Sequence, residues 1–266
     1  MPNPHLPPEI LDYIVDFLHD RPDTLRKCCI VSKSWVPRTR RHLFANVALF
    51  SVEELESWMT TFPDPADSPA YHAHTLFIGC PQVVMAANAE AGGWIQVFSH
   101  VANLGVCGNL GEYPNCDNTE VSLAPFHGFS STLKSLCAYS IVLPCRHLFN
   151  LIRFSPLLED LTLTGHDMLL GDEDDPHEPQ AIIPSTSPAF TGALELILPG
   201  GMENTTRRLL DFPNGLRFWK LTSWWTCEED LRWIMELVTG CSDTLKCLDV
   251  RCGLHSTFVS IPCRVL

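Results

Sequence analysis

The sequence predicts an α/β protein in two unequal parts: a three-helix module over residues 1–46, then an irregular repeat solenoid with a parallel sheet over residues 47–266. Three observations lead there. The first 45 residues carry helix-start signals and apolar side chains at helical spacing. Eight short apolar runs recur through the remainder, and helix-patterned segments lie between those runs. A chain of 266 residues is long enough to bury a large core beside a small attached module.

Composition narrows the class further. A hydrophobic content of 45% excludes a disordered polymer, and no stretch approaches the roughly 18 consecutive apolar residues a spanning helix needs. The opening MPNPHLPPEI has neither a basic n-region nor an apolar h-region, so a cytoplasmic or nuclear setting is expected. In that setting the twelve cysteines stay reduced, and most of them serve as small core residues. No CxxC or HxxxH spacing occurs; the nearest groupings are Cys28-Cys29, the run Cys241, Cys247, Cys252, and His72 with His74, all better read as packing. No metal and no cofactor is expected. The net charge of −13 is uneven, with seven Lys/Arg against five Asp/Glu in residues 1–45 and eleven against twenty-six afterwards. An acidic body is the wrong surface for nucleic acid, and it permits basic protein partners.

Taken in order, Pro7-Pro8-Glu9 opens a helix with proline in the first turn and an acid near the positive end of the dipole. Ile10, Leu11, Ile14, Phe17 and Leu18 form one apolar stripe on a helix running to about His19, while Asp12, Asp16 and His19 face elsewhere. After a break at Asp20-Arg21-Pro22-Asp23, Thr24 to Val31 is a short helix, apolar through Leu25, Cys28, Cys29 and Val31. Ser32 caps the third segment, Lys33 to Phe44, which has Trp35, Leu43 and Phe44 as anchors, Pro37 in its first turn and a basic face of Arg38, Arg40 and Arg41. Three helices of this size bury only a small core, so a partner is expected to cover their apolar surface.

Leu6-Pro7-x-Glu9-Ile10-Leu11, then Ile14, Leu18 and Leu25, and finally Ile30-Val31-Ser32-Lys33-Ser34-Trp35 together resemble an F-box motif, in the form met in fungal, basidiomycete-like proteins. The resemblance spans some forty residues, and its two ends in combination are more specific than either. It implies docking onto a Skp-type adaptor and through it onto a cullin. By position it implies that Leu6, Pro7, Ile10, Leu11, Ile14, Leu18, Val31, Ser32 and Trp35 form the adaptor interface and its supporting core. The residues alone leave open which of these touch the partner, and also allow an ordinary three-helix cap on the body.

The recurring runs are Val47–Phe50, Leu76–Ile78, Leu104–Val106, Leu133–Leu136, Leu158–Leu163, Leu194–Leu198, Leu216–Leu221 and Leu245–Val250. With Leu49, Leu76, Leu104, Leu133, Leu158, Leu194, Leu216 and Leu245 as markers the spacings are 27, 28, 29, 25, 36, 22 and 29. The better copies read LxxLxL, which sends alternate strand side chains inward while the first leucine packs at the turn. Between the runs, Ser51-Val52-Glu53-Glu54 is a capping-box start for a helix to about Phe62, Arg146 to Phe154 is a second helix, and Cys227 to Val238 a third, with Leu231, Ile234, Met235 and Val238 on one side. This region resembles the irregular leucine-rich repeats that follow an F-box in fungal proteins, without the asparagine ladder of regular repeats. A compact α/β fold with a parallel sheet is the alternative. The chain closes at residues 261–266 with no evident capping helix, as a truncated or diverged repeat would.

The longest spacing holds Gly165 to Phe190, with the acidic run 172–178 and prolines 179, 184 and 188, expected as an exposed mobile insertion. Its carboxylates lack the glycine and bidentate glutamate of a calcium loop, and an electrostatic contact with a basic partner is the further reading. No GxSxG, GxGxxG, GxxxxGK[ST] or HExxH occurs, so no enzyme activity is expected, although a triad assembled in space would leave no such signature. The resemblance therefore implies a non-catalytic substrate adaptor of a Skp/cullin/F-box ubiquitin ligase, holding an unknown protein substrate on the repeats. A repeat scaffold that uses the helices for assembly without ubiquitin transfer is the alternative. Neither nucleic acid nor membrane is an expected partner. Trp219, Trp224 and Trp225 are the candidate substrate anchors, with repeat core as their competing role.

Overall fold

A computed structural model describes residues 7–79, 82–84, 93–108, 123–139, 143–165, 169–170, 190–198, 202–210, 217–225, 228–252 and 259–263. Three helices come first: α1 Pro8–Phe17, α2 Pro22–Val31 and α3 Val36–Leu43, with a 3-10 turn Lys33–Trp35 before the third. Proline stands at the start of each, where its absent N–H costs no hydrogen bond. The Ser32 hydroxyl accepts from the Ser34 amide at 3.3 Å, so it caps the 3-10 turn, and the expected Lys33–Phe44 helix divides there. The first helix stops at Phe17, two residues before the expected His19, whose amide still bonds the Asp16 carbonyl at 3.2 Å.

The remainder is mixed helix and strand around a nine-stranded sheet. Its strands are β1 Asn46–Leu49, β2 Thr75–Ile78, β3 Asn103–Cys107, β4 Ser135–Tyr139, β6 Asp160–Thr164, β8 Ala193–Ile197, β9 Lys220–Trp225, β10 Cys247–Cys252 and β11 Val259–Cys263, in that spatial order. The first eight run parallel, each beside its predecessor, and β11 folds back antiparallel on β10. Two short strands, β5 Leu143–Pro144 and β7 Leu169–Leu170, pair separately. The start of the expected 165–190 insertion is thus strand rather than loop at Leu169–Leu170, while residues 171–189 lie outside the described residues. The helices α4 Val52–Thr61, α5 Cys145–Phe154, α6 Met202–Leu210 and α7 Glu228–Gly240 supply the second layer.

Register partners Val47, Leu76, Leu104, Leu136, Leu161, Leu194, Leu221 and Leu248 recur at intervals of 29, 28, 32, 25, 33, 27 and 27 residues. The markers chosen from sequence did not share one position: Leu133, Leu158 and Leu245 lie in the turns, three residues before the strand leucines of their own copies. In the copies at Leu133/Leu136 and Leu158/Leu161 the turn leucine and the strand leucine are both buried, so hydropathy does not separate them. Only the pairing of the backbones does.

Between neighbouring copies the turns are tied by main-chain bonds. The carbonyls of Ala45, His74, Ala102, Lys134 and Trp219 each accept two successive amides from the next turn, at 2.7–3.0 Å. Thr132 and Thr244 add hydroxyl bonds to the carbonyls of Val101 and Phe218 at 2.7 and 3.0 Å. These bonds satisfy turn groups that the missing asparagine ladder would otherwise serve.

Alternation along the strands sends Leu76, Ile78, Leu104, Val106, Leu161, Leu163, Leu194 and Leu196 into one continuous core with Leu55, Leu151, Leu209 and Ile234 of the helical layer and Phe98 of the connection between β2 and β3. The Ser51 hydroxyl caps α4 by accepting from the Glu54 amide at 3.3 Å, and Glu54 in return accepts from the Phe50 amide at 2.6 Å. On α7 the buried side is Asp230, Trp233, Ile234 and Leu237, not the expected Leu231, Ile234, Met235, Val238 stripe; Leu231 and Met235 are exposed. The helix is turned so that the Trp233 ring packs, with Arg207 of α6 over it at 5.1 Å.

Candidate functional site

Two surfaces stand out, one on the N-terminal helices and one on the sheet. The helices bury little of their own: Val15, Leu25, Cys28 and Thr39 are buried, and none belongs to the continuous core. Around them Ile10, Tyr13, Ile14, Phe17, Ile30 and Val31 are exposed, with Phe17 at 76% and Ile30 at 86%. Leu11, Leu18, Ser32 and Trp35 are half-buried, Pro7 is exposed, and Leu6 lies outside the described residues. The stripe read from sequence is therefore split. Its Ile10, Ile14 and Phe17 edge faces water, while Leu11 and Leu18 turn toward the interior.

Asp16 does not face away from the helices, as its place on the polar side of α1 suggested. It takes two bonds from the Arg38 guanidinium, one of them 2.6 Å, and a contact with His42 Nε2 at 2.7 Å, which clamps α1 to α3. The guanidinium, helped by His42, holds the Asp16 carboxyl well below the usual carboxylate range. Arg38 thus leaves the expected basic face, and Arg40 reaches the Asp67 carbonyl at 3.3 Å. Where α3 meets the body, Phe44 sits edge-on to Trp58 and Phe62, at ring separations of 5.8 and 6.0 Å. A shallow open groove of about 420 Å³ lies along this seam, with Glu53 and Glu54 among its lining.

The second surface is the sheet face opposite the core, from which no residue joins the core cluster. Across β1–β4 it is aromatic. Phe50 and Phe77 lie 5.7 Å apart, and Phe77 and Tyr139 are 6.5 Å apart although an intervening strand separates β2 from β4. Gly105 on that strand makes the approach possible, because a Cβ there would stand 2.5 Å from the Phe77 ring; Gly79 likewise leaves room for Phe50. Tyr139 is hydrogen-bonded to Cys137, and that bond with burial pushes its phenol up to about 12, so the hydroxyl keeps its proton. Burial also pushes the Cys137 thiol up.

Toward β8–β10 the same face becomes charged. Arg251 pairs with Asp249 at 2.7 Å and lies over Trp224 at 5.4 Å. Glu195 stands in the register row of Cys137, Thr162, Thr222 and Asp249. Of the three candidate tryptophans, Trp224 is on this open face, Trp219 is 46% exposed in the turn before β9, and the side chain of Trp225 lies outside the described structure. Trp219 in that turn and Trp224 on β9 stand five residues apart, about 16 Å if the chain is extended between them, so they do not form one anchor. The Phe50–Phe77–Tyr139 strip was not singled out from sequence. Its signal was there in Gly105, inside the run Leu104–Val106, and in Gly79, directly after the run Leu76–Ile78.

Cys28, Cys29, Cys137 and Cys247 are free thiols. Among the described residues, no cluster of His, Cys, Asp and Glu is arranged to hold a metal ion, and no helix is long and apolar enough to cross a membrane. Comparison with protein-family models, curated proteins and solved structures finds no match.

Proposed function

We propose that this chain is a non-catalytic substrate adaptor: the N-terminal helices dock onto a Skp-type adaptor and through it a cullin, while the repeat body holds a protein substrate for ubiquitin transfer. The observation that carries this reading is the exposure of Ile10, Tyr13, Ile14, Phe17, Ile30 and Val31 on helices that bury four residues of their own. Water contact with so much apolar surface on so small a unit is relieved by a partner. The resemblance of residues 6–35 to an F-box motif gives that partner its class, and the strand-helix recurrence of the body supports a leucine-rich-repeat-like solenoid. The chain itself makes and breaks no bonds; tethering raises the effective concentration of substrate near the charged ubiquitin. The proposed setting is cytoplasmic or nuclear.

A pull-down with a purified Skp-type adaptor tests this. The Ile10→Asp, Ile14→Asp double variant charges two exposed positions, whereas Leu11 is half-buried and would perturb the helices as well. Wild type is expected to bind and the folded variant to lose binding, since an unpaired charge buried at an interface costs several kcal/mol. Failure of the wild type to bind sinks the reading. If it binds but a reconstituted ligase transfers no ubiquitin to any captured protein, the assembly-scaffold alternative replaces it.

A further inference from the structure

We infer that the free edge of β1 takes an added strand from another protein, an extended segment with a lysine or arginine opposite Phe50 and large apolar residues two and four positions away from it. This goes beyond the substrate-adaptor reading and does not depend on it. Three observations carry it.

The first is the edge itself. At one end of the sheet the antiparallel β11 closes β10, whereas β1 at the other end pairs with β2 alone among the described residues. The carbonyls of Ala45 and Leu49 accept from Thr75 and Gly79, so the odd residues face β2 and the N–H and C=O groups of Asn46 and Ala48 point outward. Both residues are exposed, and neither outward pair has a partner among the described residues. A row of such groups is a template for another backbone, and its spacing matches an extended polypeptide. The second observation is charge. Glu54 accepts from the next outward amide, that of Phe50, at 2.6 Å, which sets its carboxylate in line with the edge. Glu53 stands beside it, both are exposed, and among the described residues no lysine or arginine pairs with either. The Glu53 carboxyl is lowered by the Ser51 hydroxyl and a main-chain amide, with no cation contributing. Two carboxylates without a counter-charge at the end of an edge strand favour a basic residue on the strand that joins it.

The third observation is the groove of about 420 Å³ between this edge and α4. Glu53 and Glu54 line one end of it, and the half-buried Phe44, Trp58 and Phe62 line the other. Trp58 and Phe62 follow Glu54 by four and eight residues, about 6 and 12 Å along a helix. An extended chain covers those distances in about two and four residues, and side chains at that spacing leave a strand on the same side. One face of the added strand therefore meets the carboxylates and the aromatic rings together.

The test uses the full chain, immobilised and panned with a random twelve-residue peptide display library; enriched sequences are then made as fluorescein-labelled peptides and titrated by polarisation. Enrichment of a Lys or Arg two or four residues from a large apolar residue is the expected result. Methylating the amide nitrogens of the bound stretch one at a time should abolish binding at every second position and leave it unchanged between, because alternate amides bond to β1. Ala48→Pro removes an outward N–H without touching the ladder to β2, and should weaken the peptide about tenfold. The Glu53→Gln, Glu54→Gln double variant should weaken it to a similar extent and remove most of its salt dependence. Ile10→Asp on α1 should leave it unchanged, and the Skp-type adaptor should still bind the Ala48→Pro variant, so the edge-strand and adaptor readings fail separately. No enrichment, enriched peptides with no basic residue, methylation effects without the alternation, or equal binding to wild type and a folded Ala48→Pro protein would each overturn the inference. So would a dimer in sedimentation that Ala48→Pro dissociates, since the edge would then belong to a second copy of the chain.

Discussion

The N-terminal helices and the sheet solve the same problem to different extents. The sheet buries a continuous apolar core running from Val47 to Leu245, each strand covering its neighbour and the helical layer covering one face. The helices gather only Val15, Leu25, Cys28 and Thr39, and leave larger side chains in water than they bury. The lesson is one of scaling: stacked units add interior with every copy, whereas three helices of eight to ten residues have almost none to share. The apolar remainder is then available for a partner, and an ion pair supplies part of what packing cannot.

The contrast breaks first under cavity formation. Leu161→Ala, at a fully buried position of the central strand β6, is expected to cost about 3–4 kcal/mol and to lower the urea midpoint of the whole sheet. Leu25→Ala should cost less and open the helices alone, seen as lost amide protection in α1–α3 with the strands still protected. Equal loss of protection in both regions would show that helices and sheet unfold as one unit.

A smaller effect comes from the Asp16 clamp. Its carboxyl titrates lower in the folded protein than in the unfolded chain, so its stabilisation is present above the unfolded value near 4 and fades as pH falls from there. Because the pair is partly exposed, solvent screening reduces it to about 1 kcal/mol. Asp16→Asn should be less stable than wild type by that amount at pH 7, and the two urea midpoints should converge as pH drops below about 4. A gap independent of pH would assign the loss to packing. Smallest of all, Ile30→Ser should change stability by less than about 0.5 kcal/mol, because this side chain is already in water, while weakening adaptor capture. A large stability loss would mean that Ile30 serves the interior.

Much of this was written locally. Proline and serine positions set the helix starts, the Ser51–Glu54 box opened α4, and the apolar runs found every long strand of the sheet except the antiparallel β11, because caps and strand alternation act over a few residues. Three things were not local. Asp16 is polar on a helix surface, and only an arginine 22 residues away turns that surface into an interface. On α7 several apolar stripes are possible, and the bulk of Trp233 against α6 chooses among them. The sequence alone determined that this is an α/β chain of short parallel strands behind a small helical start. Which leucine belongs to a strand and which to a turn, which residues of α1 face water, and that Phe77 reaches Tyr139 over Gly105 were decided by tertiary structure. Each depends on a neighbour that is distant along the chain and adjacent only once the backbones have paired.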